Sequence, residues 1–329
     1  MKILILRFSS IGDIVLTTPI IRCLKLQVPN AEIHYLTKDK YTSLLEHNPY
    51  IDHLYGLADG EESLAIEKLK GLSLDLLVDL HKNTRTKRII SQLGIPHHTF
   101  KKLNVKKWLF VNFKINLLPK KHIVDRYFDA ITSLNVKNDN TGLDFFTSIS
   151  AKKPDALADL PTEYYTLAVG GTYFTKQITR KLILSILKRL NKSIVLLGGG
   201  VSDEEKALKV LSDSGSTQLI NKVNKLTLGE SAIAIKDSKG LFTGDTGLMH
   251  IASAFSVPIH TLWGNTHPAF GMYAYRPADT NIYNYQVALS CNPCSKLGSD
   301  YCPKGHFQCM NLQNVEQIVK NCSSTETVQ

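Results

Sequence analysis

The sequence predicts an α/β protein of two doubly wound domains. Short apolar runs alternate with amphipathic stretches, the alternation halts at a Lys- and Pro-containing segment, and the same pattern then restarts. Lys2-Ile3-Leu4-Ile5-Leu6 is a continuous apolar run, as in a strand buried on both faces. After the turn Ser9-Ser10-Ile11-Gly12, the residues Ile14, Leu16, Ile20, Ile21 and Leu24 recur with helical spacing. Glu32–Thr37 reads as a strand, Tyr41–His47 as a helix, Asp52–Tyr55 as a strand, Glu61–Lys70 as a helix and Leu74–Asp79 as another buried strand. Helical crossovers between strands imply a parallel sheet covered on both faces.

The second copy starts near residue 162. Tyr164–Val169 reads as a strand, Thr175–Leu190 as a helix, and Ser193–Leu197 as a strand running into Gly198-Gly199-Gly200. Asp203–Ser212 and Leu226–Ala234 read as helices, Leu241–Thr243 as a strand, Leu248–Phe255 as a helix and Pro258–Trp263 as a strand. Thr147–Pro161 has linker composition, Val315–Val319 opens a last helix, and Ser323–Gln329 is expected to fray. The expected division is residues 1–155, 156–312 and a C-terminal helix and tail, 313–329. Two such domains are expected to face each other across a cleft, with ligands at the carboxyl ends of the strands.

Composition supports this class. The chain has 329 residues, 43% hydrophobic and 21% charged, which excludes wholesale disorder and leaves room for two cores. No apolar run approaches the ~18 residues of a spanning helix. Ile3–Leu6, closed by Arg7, is too short for the core of a signal peptide. A soluble cytosolic protein is expected. The formal charge of +10 is localised: residues 81–126 hold twelve Lys/Arg and one acid, a net +11, and the rest of the chain is −1. A single cationic region suits an acidic partner, or forms a solvated basic face.

Three polar connections carry chemistry. Arg7-Phe8-Ser9-Ser10-Ile11-Gly12-Asp13 links the first strand to the first helix without the G-x-G-x-x-G dinucleotide pattern. Asp13 in a first helical turn either complements the helix dipole or stands as a carboxylate able to take a proton. Gly170-Gly171-Thr172-Tyr173-Phe174-Thr175-Lys176 combines glycines, hydroxyls and a Lys suited to phosphate, though it is not a Walker A loop; the alternative is a surface Lys. Thr243-Gly244-Asp245-Thr246-Gly247-Leu248-Met249-His250 ends a strand and opens a helix. There Thr246 and the Gly247 N–H would meet an anionic group and Asp245 would accept from sugar hydroxyls. The alternative is an Asp/Thr N-cap with His250 packed in the helix.

No two Asp residues stand two apart, so the D-x-D pair that holds a divalent cation on a sugar nucleotide is missing. Cys291, Cys294, Cys302 and Cys309 crowd into C-x2-C-x7-C-x6-C with His306 nearby. They could hold a structural zinc, pair as a disulfide, or remain buried free thiols. Cys23 and Cys322 read as packing residues.

Together the three connections resemble glycosyltransferase family 9, the bacterial lipopolysaccharide heptosyltransferases, over nearly the whole chain. Arg7–Asp13 looks like the family's R-x-S-S-x-G-D, followed by Thr18-Pro19; Lys176 occupies the family Lys position; Leu197-Gly198-Gly199 with Glu204-Glu205 resembles a ribose-binding loop; and Asp245–His250 looks like D-[ST]-G-x-x-H. The resemblance implies a GT-B fold of two Rossmann-like domains, acceptor on the first and donor on the second, and an inverting, metal-independent transfer. It implies Asp13 as general base and Lys176, Thr172 and the Thr246 and Gly247 N–H groups on the departing diphosphate. Asp245 would orient the donor sugar, Glu204 or Glu205 the ribose, Leu226 the base, and His250 would support the phosphate site. The acceptor is expected on Ser9, Ser10, Gly12, Arg85, Arg88, Lys101 and Lys102.

The expected donor is ADP-heptose and the expected acceptor an acidic lipid-linked glycan of the lipopolysaccharide inner core. The enzyme would be cytoplasmic and peripheral on the inner face of the inner membrane. Where the family often has Arg-Trp-Pro after its Lys, this chain has Gln177-Ile178-Thr179, so another nucleotide sugar serving capsule or O-antigen is the alternative donor. A non-catalytic nucleic-acid binder is a distant alternative, disfavoured because only Phe100, Trp108, Phe110 and Phe113 interleave the basic residues.

Overall fold

The computed structural model describes residues 1–148, 154–277 and 281–326. Of the expected linker Thr147–Pro161, residues 149–153 lie outside that description, as do 327–329 of the expected tail. The chain divides into two compact units, each assembled from three pieces. Unit 1 is Met1–Lys102, Lys121–Ser148 and Tyr275–Ala278; unit 2 is Leu103–Lys120, Ile149–Ala274 and Asp279–Gln329.

The chain begins with β1 (Lys2–Leu6), α1 (Ile11–Val15), α2 (Thr18–Gln27), β2 (Glu32–Lys38), β3 (His53–Leu57), α3 (Glu62–Lys70), β4 (Leu76–Asp79), α4 (Thr84–Leu93) and β5 (His97–Thr99). α5 (Asn104–Phe113) follows, then α6 (Ile123–Ala130). The five strands form one parallel sheet in the order β3-β2-β1-β4-β5. β1 is central, which is why its run is apolar throughout: Ile3, Leu4, Ile5 and Leu6 are all fully buried. The strand order reverses between β1 and β4, where Leu6 lies beside Asp79, so the loops after these two strands diverge and leave room for ligand groups.

One expected helix becomes two. Leu16 caps α1, Thr17 turns the chain into α2 with its hydroxyl on the Ile14 carbonyl, and Pro19 sits in the first turn of α2, where a missing N–H costs nothing. Tyr41–His47, expected as α-helix, lies instead partly in a 3-10 turn, Asp39–Leu44. Arg22 of α2 is the main polar tie inside unit 1. It pairs with Asp139 at 2.8 Å and with Asp144, and donates to the Gly142 carbonyl, fastening the returning segment to the helix.

Unit 2 adds β6 (Tyr165–Ala168), α7 (Arg180–Leu190), β7 (Ile194–Leu197), α8 (Val201–Ser214), β8 (Leu219–Asn221), α9 (Leu228–Lys236), β9 (Leu241–Thr243), α10 (Gly247–Ala252), β10 (Ile259–Leu262), β11 (Ile282–Tyr285), α11 (Gln308–Asn311) and α12 (Val315–Glu326). Its sheet is also parallel, in the order β11-β10-β9-β6-β7-β8, with the reversal between β6 and β9. One face packs Leu167, Leu182, Ile186 and Ile318; the other packs Leu197, Ile235, Met249 and Ile259. The cores therefore sit on both sides of the strands, as the apolar runs require.

The expected helix Thr175–Leu190 is divided. A 3-10 turn covers Phe174–Lys176, Gln177 is extended, and α7 starts only at Arg180. A contact from far along the chain accompanies the break: Thr175 donates its N–H at 3.1 Å and its hydroxyl at 2.8 Å to the Ser299 carbonyl, which pins Thr175 ahead of α7.

Candidate active site

In unit 1 the switch-point loops hold a compact polar group. Ser10 precedes the first turn of α1, and Asp13 occupies that turn. One Asp13 oxygen accepts from the Ser10 backbone N–H at 3.2 Å and its hydroxyl at 2.9 Å; the other pairs with Arg7 Nη2 at 2.6 Å. Arg7 is itself fixed by donating to the Ser9 carbonyl at 2.8 Å, to the Leu80 carbonyl, and to the Tyr127 hydroxyl at 3.3 Å. Burial opposes the Arg7 charge, yet Asp13 and the nearby Tyr127 and Tyr35 hold its pKa above the usual value. Asp13 thus does serve its helix, and the same contacts orient its carboxylate beside the end of β1.

The loop after β4 brings His81 to this group, a residue the motifs did not single out. Asp79 accepts from the backbone N–H groups of His81 at 2.9 Å and Lys82 at 2.7 Å, which turns the chain sharply at the strand end. Burial, then the fields of Arg7 and Lys102, push the His81 pKa down to about 4, with Asp13 acting in the opposite sense. His81 is accordingly a neutral imidazole beside a carboxylate and several cations. Arg85 lies over the Phe8 ring at 5.8 Å and pairs with Glu62 at 3.5 Å. Of the expected acceptor residues, Ser9, Ser10, Gly12, Arg85 and Lys102 gather near Asp13 or His81, whereas Arg88 and Lys101 are exposed with no contact to that group.

In unit 2 the corresponding loops follow β6 and β9. Lys176 Nζ pairs with Asp245 Oδ2 at 2.8 Å, and the same oxygen accepts from the buried Thr266 hydroxyl at 3.0 Å. Glycine permits this meeting: a Cβ on Gly244 would lie 1.9 Å from the Lys176 carbonyl oxygen, and one on Gly264 would lie 2.1 Å from that of Thr175. Thr246 stands at the N-terminal boundary of α10, but its hydroxyl contacts that of Thr243 at 2.9 Å rather than capping the helix. His250 is buried.

Under the glycine loop lie two further groups that sequence reasoning missed, Asp203 and Lys206. Asp203 Oδ2 accepts from Gly199 N–H at 3.0 Å, and a side chain on Gly170 would collide with it. Lys206 donates to the Val169 carbonyl at 2.8 Å and to Gln177 Oε1 at 3.1 Å, while Gln177 Nε2 donates to the Gly171 carbonyl at 3.0 Å. Gln177, the departure from the family pattern, therefore braces the loop from below. Burial pulls the Lys206 pKa down to about 8 against the attraction of Asp203. Glu204 is exposed and receives Asn224 Nδ2 at 2.7 Å; Glu205 and Thr172 are exposed, and Leu226 packs against the core.

All six cysteines are free thiols, and Cys23 and Cys322 are buried as expected. Burial, reinforced by the other cysteines, pushes the Cys294 pKa up to about 11 and that of Cys309 up to about 12. Cys294 Sγ donates to the Cys291 carbonyl and Cys291 Sγ lies 4.0 Å from His306 Nε2. The thiols are neighbours, but they do not form a group whose ligand atoms all fall within 4.8 Å of one another. Among the described residues, Glu32, His34 and His53 do. The arrangement gives the zinc expectation no support.

The family model for glycosyltransferase family 9 (heptosyltransferase) matches residues 65–303. The chain belongs to glycosyltransferase family 9. It is 25% identical over 292 residues to lipopolysaccharide heptosyltransferase 1 of Campylobacter coli, covering 81% of this chain and 84% of that one. A family 9 glycosyltransferase from Veillonella parvula superposes with a TM-score of 0.78 at 22% identity, covering 100% of this chain and 98% of the other. Escherichia coli heptosyltransferase WaaC with ADP superposes with a TM-score of 0.70 at 20% identity, covering 98% and 100%. This family 9 chain is a glycosyltransferase with the GT-B fold, two Rossmann-like units each built on a parallel sheet.

Proposed function

We propose that the enzyme transfers heptose from ADP-heptose to an acidic, lipid-linked inner-core acceptor, with inversion and without a metal ion. The observation that carries this reading is the oriented carboxylate of Asp13, held at 2.6 Å by Arg7 at the switch point of unit 1. Family membership and the likeness to the solved structure of a heptosyltransferase with ADP support the donor. Asp13 takes the proton of the acceptor hydroxyl as its oxygen bonds to the anomeric carbon from the face opposite the nucleotide. The bond to the diphosphate breaks, and its electron pair leaves with ADP. Lys176, Thr172 and the N–H groups of Thr246 and Gly247 stabilise that charge, acting mainly in the transition state.

Asp245 orients the sugar, Glu204 or Glu205 the ribose, Leu226 the base, and buried His250 supports the phosphate end. Residues 1–155 would hold the acceptor and 156–312 the donor. Ser9, Ser10, Gly12, Arg85, Arg88, Lys101 and Lys102 would meet the acidic acceptor, and the enzyme would work in the cytoplasm at the inner membrane face. The test is ADP release on mixing enzyme, ADP-heptose and acceptor, followed by detection of the heptosylated product. A larger thermal shift with UDP- or GDP-sugars than with ADP-heptose would overturn the donor assignment.

A further inference from the structure

The segment between the two halves of the basic region combines exposed apolar side chains with lysines. Val105, Trp108, Phe113, Ile115 and Leu117 are all large, hydrophobic and exposed, from 50% to 72%. They fall within thirteen consecutive residues. Over residues 101–121 the chain holds seven Lys and no Asp or Glu.

The geometry of α5 explains why these side chains face outward. Phe110 is buried, edge-on to His267 at 5.2 Å and to Phe270 at 5.7 Å, and Lys107 Nζ lies over the Phe270 ring. After the helix, Lys114 is anchored by donating to the Cys291 carbonyl at 3.0 Å and the Pro293 carbonyl at 2.6 Å. These contacts fasten one side of the segment to unit 2. Val105 and Trp108, three apart, share the opposite side, and Phe113 packs edge-on against Trp108 with ring centroids 5.3 Å apart. The result is an exposed aromatic pair beside Val105, with the exposed Lys106 on the same helix and the exposed Lys120 shortly after it in sequence.

We propose that Val105, Trp108, Phe113, Ile115 and Leu117 form a wedge that seats the enzyme in the interface of a bilayer containing anionic lipid. A Trp at a headgroup boundary, apolar side chains beside it and lysines at its margin are the chemistry of an interfacial membrane element. Charge selects this occupant. A second copy docking the same face would meet like charge, because residues 101–121 offer no Asp or Glu to pair with its lysines. A nucleic acid would leave Val105, Ile115 and Leu117 without stacking partners. The purpose of the wedge rests on the lipid-linked acceptor proposed above, but its existence is measured without donor or acceptor.

Trp108 is a built-in probe, because the chain has two tryptophans and the other, Trp263, is buried. With vesicles of phosphatidylcholine and phosphatidylglycerol, Trp108 emission shifts to the blue and is quenched by bromine-labelled acyl chains. Vesicles of phosphatidylcholine alone bind at least about tenfold more weakly, and salt weakens binding to the mixed vesicles. Phe113→Glu combined with Ile115→Glu keeps the probe and lowers mixed-vesicle binding by about tenfold or more, while ADP release with an acyl-free acceptor stays unchanged. An unmoved Trp108 emission, unaltered binding by the double variant, or dimerisation that the double variant abolishes would each overturn the wedge. Loss of ADP release with vesicle binding intact would count against the proposed transfer alone.

Discussion

Arg7 holds one oxygen of Asp13 at 2.6 Å while Ser10 donates twice to the other, so the carboxylate is fixed by residues of its own loop. Orientation is what a general base needs before its basicity matters. Asp13→Asn keeps the size and polarity of the side chain and removes the proton acceptor. Turnover is expected to fall by about 10²–10⁴-fold, and the thermal midpoint to fall as well, because buried Arg7 keeps only a neutral partner. Full turnover in the variant would remove Asp13 from the mechanism.

Lys176 and Asp245 form the matching pair in unit 2. Lys176→Met is expected to lower kcat by about 10²–10³-fold, as for loss of a preorganised transition-state charge, and to weaken ADP binding in calorimetry. Because the two residues act as a unit, the double variant with Asp245→Asn should lose less than the product of the single losses. Additive losses would mean that the pair is not coupled in the reaction.

Gly244→Ala tests the close approach of the loops after β6 and β9. The added methyl would fall 1.9 Å from the Lys176 carbonyl oxygen, which is backbone and cannot swing away. Denaturant unfolding should show a loss of about 1–3 kcal/mol, the usual cost of overpacking, together with weaker ADP binding. Gly229→Ala, where the nearest atom is 4.0 Å away, is the control and should be nearly neutral.

Lys206 should leave a signature in alkaline stability. Its folded pKa, about 8, lies below its usual 10.5, so between these values the unfolded chain carries a proton that the folded chain lacks. Stability from this group therefore rises as pH rises from about 8 to 10.5, and is flat on either side. The difference in unfolding free energy between wild type and Lys206→Met should climb across that window. A flat difference would place Lys206 in water.

Asp139 makes the opposite prediction at acid pH. The Arg22 hydrogen bond, outweighing burial, holds its carboxyl well below the usual carboxylate range. Its stabilisation is present above about pH 4 and is lost as pH falls toward the folded pKa. Asp139→Asn should lower stability at pH 7 by about 1–3 kcal/mol, because Arg22 is left buried with a weaker partner. The acid-side decline should be shallower in the variant.

The buried strands were legible because a strand covered on both faces must be apolar at every position, as Ile3–Leu6 and Ile194–Leu197 are. Three edge strands were not: β5, β8 and β11 carry mixed polarity such as His97-His98-Thr99, whereas the edge strand β3 was read from Asp52–Tyr55. Asp13, Lys176 and Asp245 could be found from motifs because each sits in a polar connection beside a strand end. His81, Asp203 and Lys206 could not, because their position depends on pairing between strands distant in sequence. The early end of the 3-10 turn at Lys176 was equally hidden, since Ser299, which captures Thr175, lies 124 residues away.

The three-piece make-up of each unit bears on how the enzyme can be dissected genetically. No single cut point separates unit 1 from unit 2, because residues 103–120 belong with the second while lying inside the first. A chimera that exchanges C-terminal halves between relatives at a junction near residue 150 would graft a foreign half onto a native α5, mismatching Phe110 with its partners at 267 and 270. Modular exchange should succeed only when residues 103–120 travel with the rest of unit 2.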